Sequence, residues 1–260
     1  MQALMRPYGS LHYRLDGPAD GPVVLFANSL GTDLRLWDAV LPLLPAGPRY
    51  LRFDKQGHGL SDLGGGDRIA DHADDVVALI ETVADAPVVM VGLSIGGVIA
   101  QHLAAKRPDL IRAMVLSNSA ARMGTAESWQ ARIDAITAGG MAAIADPVME
   151  RWFAPAFRAT PALALWRNML ARTSADGYLA ACRALAGADQ TAATAALRLP
   201  TLVIAGDADG ASPPDLVQAT AALIPGAEFH IIPGAGHLPC VETPAAHAAL
   251  LAPFIERHAA

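Results

Sequence analysis

Apolar runs of four or five residues ending in turn residues alternate along this chain with longer segments whose apolar positions recur at helical spacing. The short runs predict strands at 11–15, 23–26, 50–53, 88–91, 113–116, 202–205 and 228–232. Between them the spacing predicts helices over 37–44, 69–83, 95–106, 216–224 and 245–255. This alternation builds a mostly parallel, doubly wound α/β sheet covered by helices on both faces. One stretch breaks it. Residues 122–198 keep a helical period, are rich in Ala and hold no convincing strand before 202, so they read as a helical lid inserted between two strands of a core formed by 1–121 and 199–260. The insertion begins where a strand ends, which is where open α/β sheets bind their ligands. No internal repeat or low-complexity linker is visible.

Composition narrows the functional class. A hydrophobic fraction of 53% against 17% charged residues excludes a disordered chain. A formal net charge of −6 with scattered arginines gives no basic footprint, so nucleic acid is not an expected partner. The start Met1-Gln2-Ala3-Leu4-Met5-Arg6-Pro7 lacks the pattern of a secretory signal, and no apolar run reaches the roughly 18 residues of a membrane span. The expectation is a cytoplasmic protein without a membrane partner. Cys182 and Cys240 have no metal-type spacing and fit two free thiols, with a single disulfide between them as the alternative. No His/Asp/Glu group has convincing metal-ligand spacing, so neither metal nor cofactor is expected. Nothing in the sequence speaks to oligomeric state.

The most specific local signal is Gly92-Leu93-Ser94-Ile95-Gly96, which follows the run 88–91 and opens a helical segment. A serine on such a strand-to-helix turn is lifted toward the cleft, and the flanking glycines avoid clashes with neighbouring elements. The alternatives are an ordinary serine N-cap or a phosphate loop. Gly92, Gly96 and Gly97 match neither the Gly-Lys-Ser/Thr nor the Gly-x-Gly-x-x-Gly arrangement of phosphate loops. Ser94 is therefore the candidate nucleophile. Acyl transfer then needs two preorganised donors for a tetrahedral oxyanion. The N–H of Ile95 is one candidate and the N–H of Leu30, in the loop 28–31 after an early strand, is the other, although that loop could be a plain turn.

The base and acid follow from chain order, Ser then Asp or Glu then His. His237 lies on the loop Gly234-Ala235-Gly236-His237, after the last predicted strand and before the last helix. His58, in a Gly-His-Gly turn, reads as structural, and His102, two helical turns beyond Ser94, as a packing or solvent-facing residue. The loop Gly206-Asp207-Ala208-Asp209 offers two acids, of which Asp209 has the preferred Gly-x-x-Asp spacing. The other position used for the acid on this fold, after the preceding strand, holds Asn118, and a neutral amide cannot stabilise an imidazolium as a carboxylate does. Asp54-Lys55-Gln56-Gly57-His58-Gly59-Leu60-Ser61 looks like the structural Asp-x-x-Gly-x-Gly-x-Ser turn of α/β-hydrolases.

With these residues placed, the chain resembles the 3-oxoadipate enol-lactonases, a branch of the α/β-hydrolases. The resemblance runs through Asn28-Ser29-Leu30-Gly31-Thr32-Asp33-Leu34 with Trp37-Asp38, Gly92 to Gly97, Asn118-Ser119-Ala120-Ala121-Arg122, Gly124-Thr125 to Trp129, Arg151-Trp152-Phe153-Ala154-Pro155-Ala156-Phe157-Arg158, and Gly234 to Pro239. The nucleophile and histidine loops belong to the whole superfamily, whereas the Asn-Ser-Leu-Gly turn and the Arg-Trp-Phe segment are more particular. Lys55-Gln56 departs from the pattern, standing where Thr-Arg or similar pairs are usual, and Asp207-Ala208-Asp209-Gly210 is an atypical acid loop. The resemblance implies hydrolysis of the enol-lactone of 3-oxoadipate in aromatic catabolism. It also implies a lid contact from Trp152, within the Arg-Trp-Phe segment. That substrate carries a carboxylate, which a closed apolar pocket would not accept without a donor or cation. Of Arg122, Arg132, Arg151 and Arg158, the choice is Arg132, which follows the family-like segment around Trp129 and precedes an apolar helical stretch. The competing readings are another ester or lactone hydrolase or a cofactor-free perhydrolase on the same scaffold, and, from a different class, a ligand-binding sensor.

Overall fold

Eight strands form one sheet in the order β1-β2-β4-β3-β5-β6-β7-β8 in the computed structural model, which describes residues 1–259. They are β1 (Gln2–Arg6), β2 (Gly9–Asp16), β3 (Val23–Ala27), β4 (Arg49–Phe53), β5 (Val88–Leu93), β6 (Ile111–Ser117), β7 (Thr201–Gly206) and β8 (Glu228–Ile232). β2 pairs antiparallel with β1 and β4, and every pairing from β4 onward to β8 is parallel. β3, β5 and β7 are buried at every position. Strands covered on both faces need no polar side, which is why they read in the sequence as unbroken apolar runs.

The helices of the described residues are α1 (Ile69–Val83), α2 (Ile95–Lys106), α3 (Ala126–Gly139), α4 (Ala142–Trp152), α5 (Pro155–Arg158), α6 (Leu163–Ala171), α7 (Ala175–Ala186), α8 (Thr191–Ala195), α9 (Pro214–Leu223), α10 (Pro239–Glu242) and α11 (Pro244–His258). Helices α3 to α8 occupy the connection between β6 and β7. α3 packs on α4 and α7, and α4 on α6, whereas α8 packs on α2 and α9 of the sheet layers.

Two expectations fail, each for a local reason. The segment 37–44 is not one helix but two 3-10 turns, Leu34–Trp37 and Leu41–Leu43. Pro42 supplies no N–H and its ring crowds the carbonyl one turn back, which disfavours a continuous helix here. Asp33 caps the first turn, its Oδ1 accepting from the Arg35 N–H at 3.0 Å. The strand β1 was not anticipated. It is an edge strand with three of five residues exposed, and its apolar run, Ala3-Leu4-Met5, is only three residues long. Cys182 and Cys240 are both buried free thiols, not a disulfide. Among the described residues no helix is long and apolar enough to cross a membrane.

All the parallel strands end at the same edge of the sheet, so the loops that follow them converge there. The loop after β3 carries Leu30, the turn after β5 Ser94, the end of β6 Asn118, the loop after β7 Asp209 and the loop after β8 His237. Residues more than 200 positions apart thereby meet in one place.

Candidate active site

Ser94 sits between β5 and α2 with φ 57° and ψ −120°, a backbone conformation that residues with a Cβ rarely adopt. Its surroundings hold it there. The Ser94 N–H donates to the Ser117 carbonyl at 3.0 Å, and its own carbonyl accepts from the Ser119 hydroxyl at 2.7 Å and from the N–H groups of Gly97 and Val98. The two motif glycines allow this path because a Cβ on Gly92 would strike the Gly96 carbonyl and one on Gly96 the Ala27 carbonyl of β3. Ile95 is the first residue of α2, so its N–H belongs to the donors that a helix N-terminus leaves without an internal acceptor.

Leu30 is held by the loop that leaves β3. Asn28, fully buried, donates from Nδ2 to the Phe53 carbonyl at 2.9 Å and accepts on Oδ1 from the Trp37 indole N–H at 2.9 Å. The Ser29 carbonyl accepts from the Thr32 hydroxyl at 2.9 Å. Beneath this loop, Asp54 accepts from the Leu34 N–H on Oδ1 and from the Leu60 N–H on Oδ2, and pairs with His12 at 2.7 Å. These bonds fasten the Asp-x-x-Gly-x-Gly-x-Ser turn rather than present a group to a ligand. His58 in that turn is buried, and its Nδ1 lies 3.0 Å from the Gln56 carbonyl. His102 is half-buried near Gln190.

The His237 Nδ1 lies 2.8 Å from the Asp209 Oδ2, both side chains buried. Asp207 is instead an exposed loop residue whose Oδ1 accepts from the Gly234 N–H at 2.7 Å. Two partners of Asp209 escaped sequence reasoning. Its Oδ2 also accepts from the Ser212 hydroxyl at 2.6 Å and the Asn118 amide at 2.9 Å, while its Oδ1 accepts from the N–H groups of Ala211 and Ser212. Burial pushes the Asp209 carboxyl up, but the facing His237 and the hydrogen bonds from His237, Ser212 and Asn118 outweigh it and hold the group below the usual carboxylate range. Asn118, just beyond the end of β6, thus donates to the carboxylate that faces His237. Asn118 has φ 48°, a region that Asn tolerates and β-branched residues do not. The Ser three residues beyond Asp209 was the hint for Ser212.

The C-terminal end of α4 is sewn into both loops. The Trp152 carbonyl accepts from the His237 N–H at 2.6 Å, and its indole stacks near the imidazole with centroids 6.5 Å apart at 24°. Arg151 bonds Gly210 through both its backbone carbonyl and its Nε. Glu242 of α10 bridges the same region, accepting from the Gly236 N–H and the Ala154 N–H, each at 2.8 Å. Burial pushes the Glu242 carboxyl up to about 7 against the pull of those two N–H groups.

A small cavity of about 90 Å³ is lined by Ser29, Leu30, Ser94, Trp129, Arg132, Arg151, Trp152, Tyr178 and His237, among others. Its wall brings together Ser94, His237, Leu30, Trp152 and Arg132. The structure adds Arg151 to this wall and leaves the other two arginines out of it. Arg122 is exposed and lies 3.9 Å from Asp189, and Arg158 does not reach the cavity. Arg132 donates to the Tyr178 hydroxyl at 3.2 Å and sits 5.2 Å from the Trp129 ring centroid. Burial and the neighbouring Arg132 both lower the Arg151 pKa, against the pull of Asp209. Of the other large apolar residues between β6 and β7, Phe153 stacks on Phe157, and Phe157, Trp166 and Met169 face a separate, wider groove of about 920 Å³ that contains none of the candidate residues.

Residues 22–244 match the family model described as the alpha/beta hydrolase fold. The 3-oxoadipate enol-lactonase 2 of Acinetobacter baylyi is 35% identical over 203 residues, covering 77% of this chain and 76% of that protein. The crystal structure of the enol-lactonase from Burkholderia xenovorans LB400 superposes with a TM-score of 0.94 at 33% identity, over 98% of this chain and 100% of the other. A hydrolase from Pseudomonas aeruginosa PA01 superposes with a TM-score of 0.92 at 36% identity, over 98% and 97% of the two chains. A chain that matches the family model over most of its length, and the enol-lactonases in both sequence and architecture, belongs to the α/β-hydrolase family, in the branch of the 3-oxoadipate enol-lactonases.

Proposed function

We propose that this hydrolase opens the enol-lactone of 3-oxoadipate to 3-oxoadipate through an acyl-enzyme on Ser94, in the breakdown of aromatic compounds. The observation that carries the reading is one small cavity in which Ser94 and His237 share the wall with two arginines. With its Nδ1–H held by Asp209, the imidazole keeps Nε2 as the acceptor. His237 takes the Ser94 proton as Oγ attacks the lactone carbonyl, and the N–H groups of Leu30 and Ile95 receive the oxyanion. The imidazolium returns its proton to the departing enol oxygen, which then tautomerises to the ketone. An enol is a better leaving group than an alkoxide, so acylation is the easier half. Water, activated by His237, attacks the acyl carbonyl and releases the second carboxylate together with free Ser94.

Arg132 is assigned to the carboxylate that the substrate carries outside its ring, because a planar guanidinium suits bidentate binding of that group; Arg151 supports it. The test compares kcat/KM for the anionic lactone and for a neutral aryl ester of similar size in Arg→Met variants of Arg122, Arg132, Arg151 and Arg158. Arg132→Met is expected to raise KM for the lactone by ~30-fold or more, about 2 kcal/mol, and to leave the ester nearly unaffected. Arg151→Met should show a smaller selective loss, and Arg122→Met and Arg158→Met none. Equal losses on both substrates at Arg132 would remove it as the clamp. One observation favours a second reading: the Tyr178 hydroxyl and the Trp129 ring already engage Arg132, as they would in an esterase for neutral substrates. Turnover of the aryl ester without measurable lactone hydrolysis would establish that reading. Failure of a fluorophosphonate to label Ser94 would point to a ligand-binding sensor.

Trp152 is assigned to both packing and catalysis. Trp152→Ala is expected to destabilise the fold by about 3–5 kcal/mol and also to lower kcat roughly tenfold, since the indole that borders His237 is lost while the main-chain bond to the His237 N–H remains. Thermal melting and steady-state kinetics on the same preparation separate the two effects. An unchanged kcat/KM beside a lowered Tm would make the contact purely structural.

A further inference from the structure

Lys55 is 1% exposed, and its ammonium lies under the loop that carries Leu30. Its Nζ donates to the Ser29 carbonyl at 2.8 Å and the Asn28 carbonyl at 3.2 Å, and among the described residues it makes no ion pair. A buried lysine ammonium is costly to desolvate, and here its hydrogen bonds go to two main-chain carbonyls. Burial pushes its pKa down to about 7, against the support of Asp54 and Asp33.

The Ser29 carbonyl and the Leu30 N–H belong to one peptide unit. No peptide bond in the described chain is cis. In a trans unit the C=O and the N–H point in opposite directions, so whatever fixes one aims the other. Lys55 draws the Ser29 carbonyl into the protein interior, and the Leu30 N–H is thereby turned to the other side of the peptide plane. Ser29 and Leu30 line the cavity that also holds Ser94. A positive charge at the carbonyl end of that unit also withdraws electron density from its N–H end, making the N–H a stronger donor to an anion. A charge in this dry site acts at much lower effective dielectric than in water. The Thr32 hydroxyl on the same carbonyl restrains its position but adds no charge.

We infer that Lys55 is a positioning residue for the oxyanion site: its ammonium, on the Ser29 carbonyl, aims and polarises the Leu30 N–H toward the developing oxyanion. It touches no substrate atom. The inference rests on the Ser94 acyl-transfer reading given above.

The test uses Lys55→Met, which keeps side-chain length without charge or donor, and Lys55→Gln, which keeps a donor without charge and preserves the fold if the methionine variant fails to. Each is assayed with an aryl ester and with the matching thiono ester, whose C=S is a poorer guest for N–H donors than C=O. Wild-type enzyme is expected to prefer the oxo ester strongly. In Lys55→Met, kcat for the oxo ester should fall roughly 10- to 100-fold with KM within about threefold, and the oxo-over-thiono preference should shrink in proportion. Lys55→Gln should recover only a minor part of both. Binding of an aryl boronic acid, which forms a tetrahedral adduct on serine, should weaken alongside kcat/KM, while product inhibition stays unchanged. A folded Lys55 variant with wild-type kcat and undiminished oxo preference would overturn the inference. A wild-type enzyme with no oxo preference and no serine adduct would instead overturn the acyl-transfer reading beneath it.

Discussion

Ser94→Ala is expected to lower kcat by about 10⁴-fold or more while the protein stays folded. On the proposed mechanism the variant lacks the hydroxyl that forms the acyl bond; water would have to attack the lactone directly, helped by the remaining donors alone. The backbone of the elbow should survive, because its conformation is held by main-chain and Ser119 hydrogen bonds and by the glycine contacts, none of which uses the Ser94 hydroxyl. His237→Ala should be comparably severe, since the hydroxyl would lose its proton acceptor. The two losses should not add in the double variant, because both residues act in the same step. Circular dichroism and steady-state kinetics on the same samples check the point. A Ser94→Ala protein retaining more than about 1% of wild-type kcat would remove Ser94 from the nucleophile's role.

Asp209→Asn is expected to cost about 10⁴-fold in kcat, and Asp207→Asn less than about threefold. The reason lies in the partners of Asp209, all of which are donors. Its Oδ2 accepts from His237, Ser212 and Asn118, and its Oδ1 from two backbone N–H groups. An asparagine amide can offer only one oxygen. If that oxygen faces the backbone pair, its NH₂ group meets His237 and forces the imidazole into the tautomer that cannot accept the Ser94 proton. If the oxygen faces His237, the NH₂ group collides with the N–H groups of Ala211 and Ser212. Asp207, by contrast, is exposed and holds the Gly234 N–H, so its substitution should be felt modestly in Tm and little in rate. The reverse ranking of kcat losses, in variants with unchanged circular dichroism, would transfer the acid's role to Asp207.

The sequence alone determined the order of strands and helices in the core and the residues at the tips of its loops. β3, β5 and β7 were legible because burial on both faces demands unbroken apolar runs, and α1 and α2 because apolar spacing marks their extent to the residue. Ser94 was legible because the strand, the sharp turn, the flanking glycines and the helix that define its setting are contiguous. What required contacts between distant positions was not. β1 is defined by its pairing with β2 and carries an apolar run of only three residues. The donors from Asn118 and Ser212 to Asp209, the bridge from Glu242 to Gly236 and Ala154, and the hold of Lys55 on Ser29 each join different loops or elements, or different ends of one loop, through side-chain directions that no local pattern encodes. The lid shows the same division. Helical period marked 122–198 as helices, but which of four arginines reaches the cavity depends on how α3 and α4 pack over the strand ends. Only tertiary structure set Arg132 and Arg151 there and left Arg122 and Arg158 outside, because the position of a helix face is set by its packing partners rather than by its own sequence.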